Sequence, residues 1–378
     1  MSPLLTGLFL FAAAPQDQAD TVYDPWSELD QELALWDRSS EEEIAPATVS
    51  GYIQTSFLHS ILDGSGGYGG FLVDTARLAL SGDSADGFSY RVSGDFAGQS
   101  SSTLTDDDGD PDTEDTVEFD NGFGSFEIRD AYIRSPMPGP FNLTIGNFKA
   151  PVLRSGRIDA DKMLFATRTH AAEALSERDL GVMIDGRWDI LRGYLSISNG
   201  EDRSDEKMMI GTRLEVDVAG KGVSLVEGAL GAPSELAITI GASIFEDETV
   251  EEDGRIIGAD LALTYDRLSI SAEVVDFGDG FATDYGARMS DPRGMRKTLT
   301  DTRPRSFMIS YMAQPDKWEM IWRIDYLDEG GDSNRNIQTL GLNHYVEGHD
   351  LKWQVGVIID EFDGEDETLL TGGLFASF

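Results

Sequence analysis

The sequence predicts an all-β fold, a 16-stranded antiparallel transmembrane β-barrel with an inward-folded constriction loop and a short N-terminal helix. Three observations predict it. Apolar and polar residues alternate with a period of two from about residue 47 to the end. The connectors between the alternating segments are short on one side of the predicted sheet and long on the other. One long connector, residues 150–178, is basic in a chain of net charge -40.

The first 46 residues differ from the rest in pattern. Residues 1–14 resemble a secretory signal peptide, with an apolar run that ends in small residues, although no basic residue precedes it. Either the start is mis-assigned or the signal is atypical. Residues 15–46 form the predicted periplasmic N-terminal segment. Within it, residues 24–38 place Trp26, Leu29 and Trp36 on one helical face, either to pack on the barrel mouth or to bind a partner.

The predicted barrel covers residues 47–378. Its clearest strand, residues 317–326, reads KWEMIWRIDY, with Trp318, Trp322 and Tyr326 on one face and charged residues on the other. Strands of this length match a tilted crossing of a bilayer. The sixteen predicted strands are 47–60, 70–82, 87–98, 123–135, 140–149, 179–188, 189–200, 207–218, 235–246, 255–266, 267–277, 304–314, 316–328, 335–347, 350–361 and 367–378.

Connector lengths separate the two rims of this barrel. Short turns such as residues 136–139 and 265–267 fall on one rim, together with one longer stretch near 219–234. The other rim carries the long connectors, among them 99–122, 150–178 and 278–303. Short periplasmic turns and long outer loops are typical of outer-membrane barrels, so the sequence predicts a bacterial outer-membrane location. The C-terminal strand ends in an aromatic residue, Phe378, as such barrels commonly do.

The basic connector is the candidate functional site. A charged loop of this length inside a compact domain is usually functional or disordered, and cationic side chains at a narrow place can select anions. An alternative interpretation is that the arginines pair with acidic residues of the barrel wall and only hold the loop inside. The predicted constriction and anion-binding residues are Lys149, Arg154, Arg157, Lys162, Arg168 and Arg178.

The two ends of this connector carry a family resemblance. Residues 146–151 read G-N-F-K-A-P and residues 177–181 read E-R-D-L-G. This pattern resembles the phosphate-selective porin O and P family of outer-membrane channels, which has a similar strand end and strand start around its constriction loop. Asn147 and Val152 depart from the family pattern. The resemblance implies a porin that passively conducts small ions or solutes, with an anion or phosphate preference, and a homotrimer in contact with outer-membrane lipid.

Composition excludes several other classes of function. The net charge of -40 argues against nucleic acid as a partner, because phosphate backbones require basic surfaces. The chain has no cysteine, so thiol chemistry and disulfides are ruled out. We find no G-x-S-x-G motif. The sequence therefore predicts no enzyme and no cofactor, although an outer-membrane hydrolase would need only a Ser and a His brought together by the fold.

Two charged outer loops have open roles. Residues 106–115 are acid-rich and could hold structural Ca²⁺ through Asp106, Asp108, Asp110 and Asp112, or could be a solvated loop tip. Residues 288–305 are the most basic window of the chain. If the alternating strands instead formed a β-sandwich, the acidic loops would suit a secreted or surface-attached calcium-binding adhesin without a pore.

Overall fold

The computed structural model describes most of residues 47–378, which belong to one compact unit, Ala45–Phe378. The predicted signal-like segment 1–14, the N-terminal segment 15–46 with its helix, the four candidate Ca²⁺ ligands and most of the basic window 288–305 lie outside the described residues. The described ranges are 47–61, 69–84, 87–97, 101–105, 116–120, 123–175, 178–200, 207–248, 253–278, 303–328, 334–362 and 365–378.

Sixteen of the strands in these ranges form one closed antiparallel barrel, in which each strand pairs with its neighbours along the chain. The remaining two strands, β4 and β5, pair only with each other in the described part of the chain. The strands are β1 Thr48–Ile61, β2 Gly69–Asp83, β3 Ser89–Ala97, β4 Ser101–Thr105, β5 Thr116–Asp120, β6 Phe123–Pro136, β7 Phe141–Lys149, β8 Arg178–Trp188, β9 Leu191–Ser198, β10 Met209–Ala219, β11 Ala237–Asp247, β12 Arg255–Tyr265, β13 Leu268–Phe277, β14 Arg305–Gln314, β15 Trp318–Asp328, β16 Asn334–Tyr345, β17 Leu351–Phe362 and β18 Glu365–Ser377.

The first and last strands close the barrel. In the register of β1 with β18, Tyr52 lies opposite Ser377 and Ile61 lies opposite Thr368. The chain end continues the ladder, since the Phe378 amide donates to the Gly51 carbonyl at 2.9 Å. Closure leaves no sheet edge with unpaired backbone groups, which is what a bilayer requires of β-structure. The predicted 16-stranded barrel is confirmed, and the alternative of a pore-less β-sandwich is not favoured.

The outer surface of the barrel is apolar. Along β10 the buried residues Arg213 and Glu215 alternate with the exposed residues Ile210 and Leu214. β11 and β12 alternate in the same way, and Trp322, Val355 and Leu374 are exposed, as a lipid-facing position requires. Polar side chains therefore point into the lumen and apolar side chains point out. The predicted outer-membrane location agrees with this surface.

The connectors differ from the prediction in two places. Within the predicted loop 99–122, β4 and β5 pair as a two-stranded antiparallel sheet, and the Thr residues on both strands favour extended structure. The stretch between β10 and β11, residues 220–236, leaves the short-turn rim and turns into the lumen, where Glu227 and Ala229 are buried. No helix in the described part of the chain is long and apolar enough to cross a bilayer.

A charge placed on the lipid face should destabilise the barrel according to its depth. Leu340 lies near the middle of β16 and is exposed, so we expect Leu340→Arg to cost about 2–4 kcal/mol. The measurement is equilibrium unfolding by guanidinium in lipid vesicles, followed by tryptophan fluorescence.

The matched control is Glu361→Arg, which lies on the outward face of β17 one residue from the strand end. Arginine near the interface should cost only about 0–1 kcal/mol. Equal costs at the two positions would contradict the proposed lipid-facing surface.

Candidate functional site

The constriction loop lies inside the barrel. After β7 it forms a short helix α1, Arg154–Arg157, a 3₁₀ turn, Ala160–Lys162, and a second short helix α2, His170–Ala174. Leu153 and Leu164 are fully buried. Leu153 belongs to an apolar cluster with Phe245 and Ile256 of the wall. The apolar residues of the loop therefore anchor it against β11 and β12 and narrow the lumen.

Side chains of the opposite wall bind the backbone of the loop. Lys352 on β17 donates from Nζ to the carbonyls of Asp161, at 3.0 Å, and Met163, at 2.6 Å. Asn343 and Gln354 both donate to the Leu164 carbonyl, at 2.8 and 2.7 Å. A backbone without regular structure keeps unpaired carbonyls, which are costly to bury unless a donor meets them. These polar wall residues supply the donors.

Further along the loop, two more wall residues donate hydrogen bonds to loop carbonyls. Gln54 on β1 donates to the Ala166 carbonyl at 3.1 Å, and Arg323 on β15 donates to the Thr167 carbonyl at 2.9 Å. Phe165 fits against Gly341 of β16, where a Cβ atom would lie 2.4 Å from its ring. A larger residue at this position would displace the ring and, with it, the middle of the loop.

A buried charge network holds the first part of the loop. Arg213 on β10 makes two hydrogen bonds to Asp260 on β12, at 2.7 and 2.8 Å. Its Nη1 also donates to the Val152 carbonyl at 2.8 Å, and Asp260 accepts from the Arg154 amide at 3.1 Å. Both side chains are buried. Because a bidentate pair fixes direction as well as distance, this network sets where the loop crosses the lumen.

Two of the six predicted cations pair with carboxylates of the wall. Arg157 lies 2.6 Å from Glu215 on β10, and Arg178, the first residue of β8, lies 3.1 Å from Asp130 on β6. These are the partners expected if the arginines hold the loop inside.

Lys149 binds the loop at its entrance. Its Nζ lies 3.1 Å from Asp159 and 3.1 Å from the Ile158 carbonyl. Partial burial inside the lumen would by itself raise the pKa of the Asp159 carboxyl, but the positive charge of Lys149 outweighs this effect and lowers that pKa below its usual value. Asp159 is therefore ionised at neutral pH.

The remaining predicted cations are Arg154, Lys162 and Arg168. Arg154 is buried and donates to the carbonyls of Val223, at 3.3 Å, and Ser224. Arg168 donates to the Ser155 carbonyl at 2.8 Å, within the loop itself. Lys162 pairs with its neighbour Asp161 at 3.1 Å and keeps 35 % of its side chain exposed. The structure thus brings the six residues into the lumen region, where five of them mainly hold the loop.

Several charged side chains inside the barrel remain in contact with water. Asp159 of the loop is 47 % exposed. On the facing wall, Arg91 of β3 is 29 % exposed and Arg134 of β6 is 37 % exposed, whereas their partners Asp130 and Asp185 are largely buried. Asp159 lies close enough to Arg91 to interact electrostatically. We name Asp159, Lys162, Arg91 and Arg134 the exposed strip.

The wall members of the exposed strip, Arg91 and Arg134, were not predicted from the sequence, and neither were the loop-binding residues Arg213, Asp260 and Lys352. The sequence did carry a signal for each of them. Each is a charged residue on the polar face of a strand in which apolar and polar residues alternate. Within the described residues, no group of three or more His, Asp or Glu side chains is arranged to hold a metal ion.

The comparisons with known proteins agree on the fold. Salmonella typhi OmpF matches with a TM-score of 0.58 at 10 % identity, over 89 % of this chain and 98 % of that chain. The outer membrane channel DcaP of Acinetobacter baumannii matches with a TM-score of 0.54 at 14 % identity, over 89 % of this chain and 99 % of that chain. The fold is that of outer-membrane porins.

Two comparisons of the sequence found no match. No protein-family model matches it, and no curated protein matches it. The resemblance to the phosphate-selective porin O and P family is therefore not confirmed, while the broader likeness to porins rests on the barrel.

Breaking the buried charge network should destabilise the protein far more than breaking an exposed ion pair. Arg213→Met leaves the Asp260 carboxylate buried without its bidentate partner, and we expect a loss of about 3–5 kcal/mol. Guanidinium unfolding in vesicles would measure it. The control, Arg255→Met, removes an exposed pair with Asp253 and should cost less than about 1 kcal/mol. A network of no structural importance would give similar losses for both variants.

Proposed function

We propose that this protein is a porin, a passive diffusion channel for small ions and hydrophilic solutes across the outer membrane. The observation that carries the proposal is the exposed strip, because charged side chains that stay in contact with water inside a closed barrel require an aqueous path beside the loop. The apolar exterior and the likeness in fold to porins support it.

A weak preference for anions is the finer part of this proposal. Three of the four members of the exposed strip, Arg91, Arg134 and Lys162, are cationic, and their carboxylate partners are less exposed than they are. Asp159 opposes them and limits the preference. Arg154 and Arg157 contribute less, because their guanidinium groups are engaged with backbone carbonyls and with Glu215.

A homotrimer also remains a proposal. It comes from the family resemblance, and the apolar barrel face would supply the contact. Light scattering of the detergent-solubilised protein would measure the oligomeric state.

The channel proposal is tested by insertion of the full chain into planar bilayers. We expect stepwise conductance increments, since water and ions would pass beside the loop. The absence of increments from protein that shows the heat-modifiable gel mobility of a folded barrel would refute the proposal.

The anion preference is tested by neutralising the exposed strip. In a 0.1 M to 1 M salt gradient, Lys162→Gln and Arg91→Gln should each lower the ratio of anion to cation permeability by about two-fold, because charges within a Debye length of the path act on passing ions. The matched control is Arg255→Gln. Its exposed side chain lies on the outward face of β12 and pairs with Asp253, so this change should leave the reversal potential unchanged. Reversal potentials that do not differ among the three variants would show that the strip does not select ions.

A further inference from the structure

A second segment enters the lumen from the opposite rim. Residues 220–236, here named the re-entrant segment, connect β10 to β11 on the rim where the other connectors are short turns. The two strands need no long connector, because Ala219 already pairs with Ile238 and could be joined by a tight turn. The additional residues instead carry Glu227, Gly228 and Ala229 into a buried position.

The re-entrant segment binds the constriction loop at two places. The Glu227 carboxylate accepts from the Leu164 amide at 2.8 Å, and the Glu227 amide donates to the Lys162 carbonyl at 3.0 Å. At the second place, the Arg154 guanidinium donates to the carbonyls of Val223 and Ser224. A reciprocal pair of hydrogen bonds fixes the relative position of two chains more tightly than a single contact does.

The same segment is fixed to the wall behind it. The Ala229 amide donates to Glu319 of β15 at 2.6 Å, and Ala229 packs with Tyr345 and Met312. Gly228 has a φ of +89°, and a Cβ atom there would lie 2.6 Å from Leu164 Cδ2 and 2.8 Å from the Glu319 carboxylate. The segment is therefore wedged between the wall and the loop at a distance that only glycine permits.

The loop, the re-entrant segment and the wall of β12 and β13 surround a small cavity. A cavity of about 30 Å³ lies between the loop and the wall, lined by residues that include Ser155, Glu273, Val223 and Glu227. This volume holds about one or two water molecules and is too small for a hydrated solute. The wall members of the exposed strip, Arg91 and Arg134, lie elsewhere, on β3 and β6.

We infer that the re-entrant segment is a second constriction element, which closes one side of the lumen from the short-turn rim and fixes the constriction loop through Glu227. This inference rests on the proposed channel function. Permeation is then confined to the side of Arg91 and Arg134, and the width of that path depends on two segments that meet from opposite rims.

The decisive experiment replaces residues 221–236 with Asn-Gly, a two-residue turn that suits an antiparallel hairpin. Single-channel conductance of the full chain is compared with that of the wild type. We expect roughly a doubling, because a second aqueous path would conduct in parallel with the first. A replacement variant that keeps heat-modifiable mobility and conducts like the wild type, or less, overturns the inference.

Should the replacement variant fail to fold, Glu227→Ala decides the question. Loss of the carboxylate frees the Leu164 amide, and we expect higher conductance with larger current fluctuations. The control is Glu235→Ala, the same change of charge at an exposed position of the same segment, which should behave as the wild type. Identical traces from the two variants would overturn the inference. A wild-type protein without any conductance would instead refute the proposed channel function.

Discussion

The structure depends on how the backbone of the constriction loop is satisfied inside the barrel. Its helices are short, so few of its carbonyls can accept a hydrogen bond from within a helix. The wall meets them with long polar side chains, among them Lys352, Gln354 and Arg323. An unmet buried carbonyl costs about 1–3 kcal/mol, so the loop can stay inside only because donors on distant strands point inward at matching depths.

The requirement that buried polar groups find partners also explains the positive charge of the loop region. A chain of net charge -40 places many carboxylates in the lumen, and cations are needed wherever such carboxylates are removed from water. Arg213 neutralises the carboxylates of Asp260 and Glu215, and Arg178 neutralises that of Asp130. The basic character of the loop region is thus mainly structural, and only the charges that remain in contact with water are free to act on a passing ion.

The two rims of the barrel contribute differently to the narrowing. The long-loop rim supplies the constriction loop, whose apolar residues anchor it against β11 and β12. The short-turn rim supplies the re-entrant segment, which reaches the loop at Leu164 and Arg154. Because each segment forms hydrogen bonds with polar groups of the other, the position of each segment depends on that of the other. The geometry of the aqueous path is a joint property of both segments and of the wall strands behind them.

The sequence by itself determined the strands, the closure and the direction of the side chains, because a period of two is a local pattern that the lipid face and the lumen impose on every strand. It also determined where the inserted loop begins and ends, between Lys149 and Arg178. Only the tertiary structure decided which cations are paired and that residues 220–236 turn inward. The partners involved are far apart in the chain, 106 residues for Arg154 and Asp260 and 189 for Lys352 and Met163. Such pairs form only when the barrel closes. The alternation of residues within one strand does not specify which strands then face each other across the lumen.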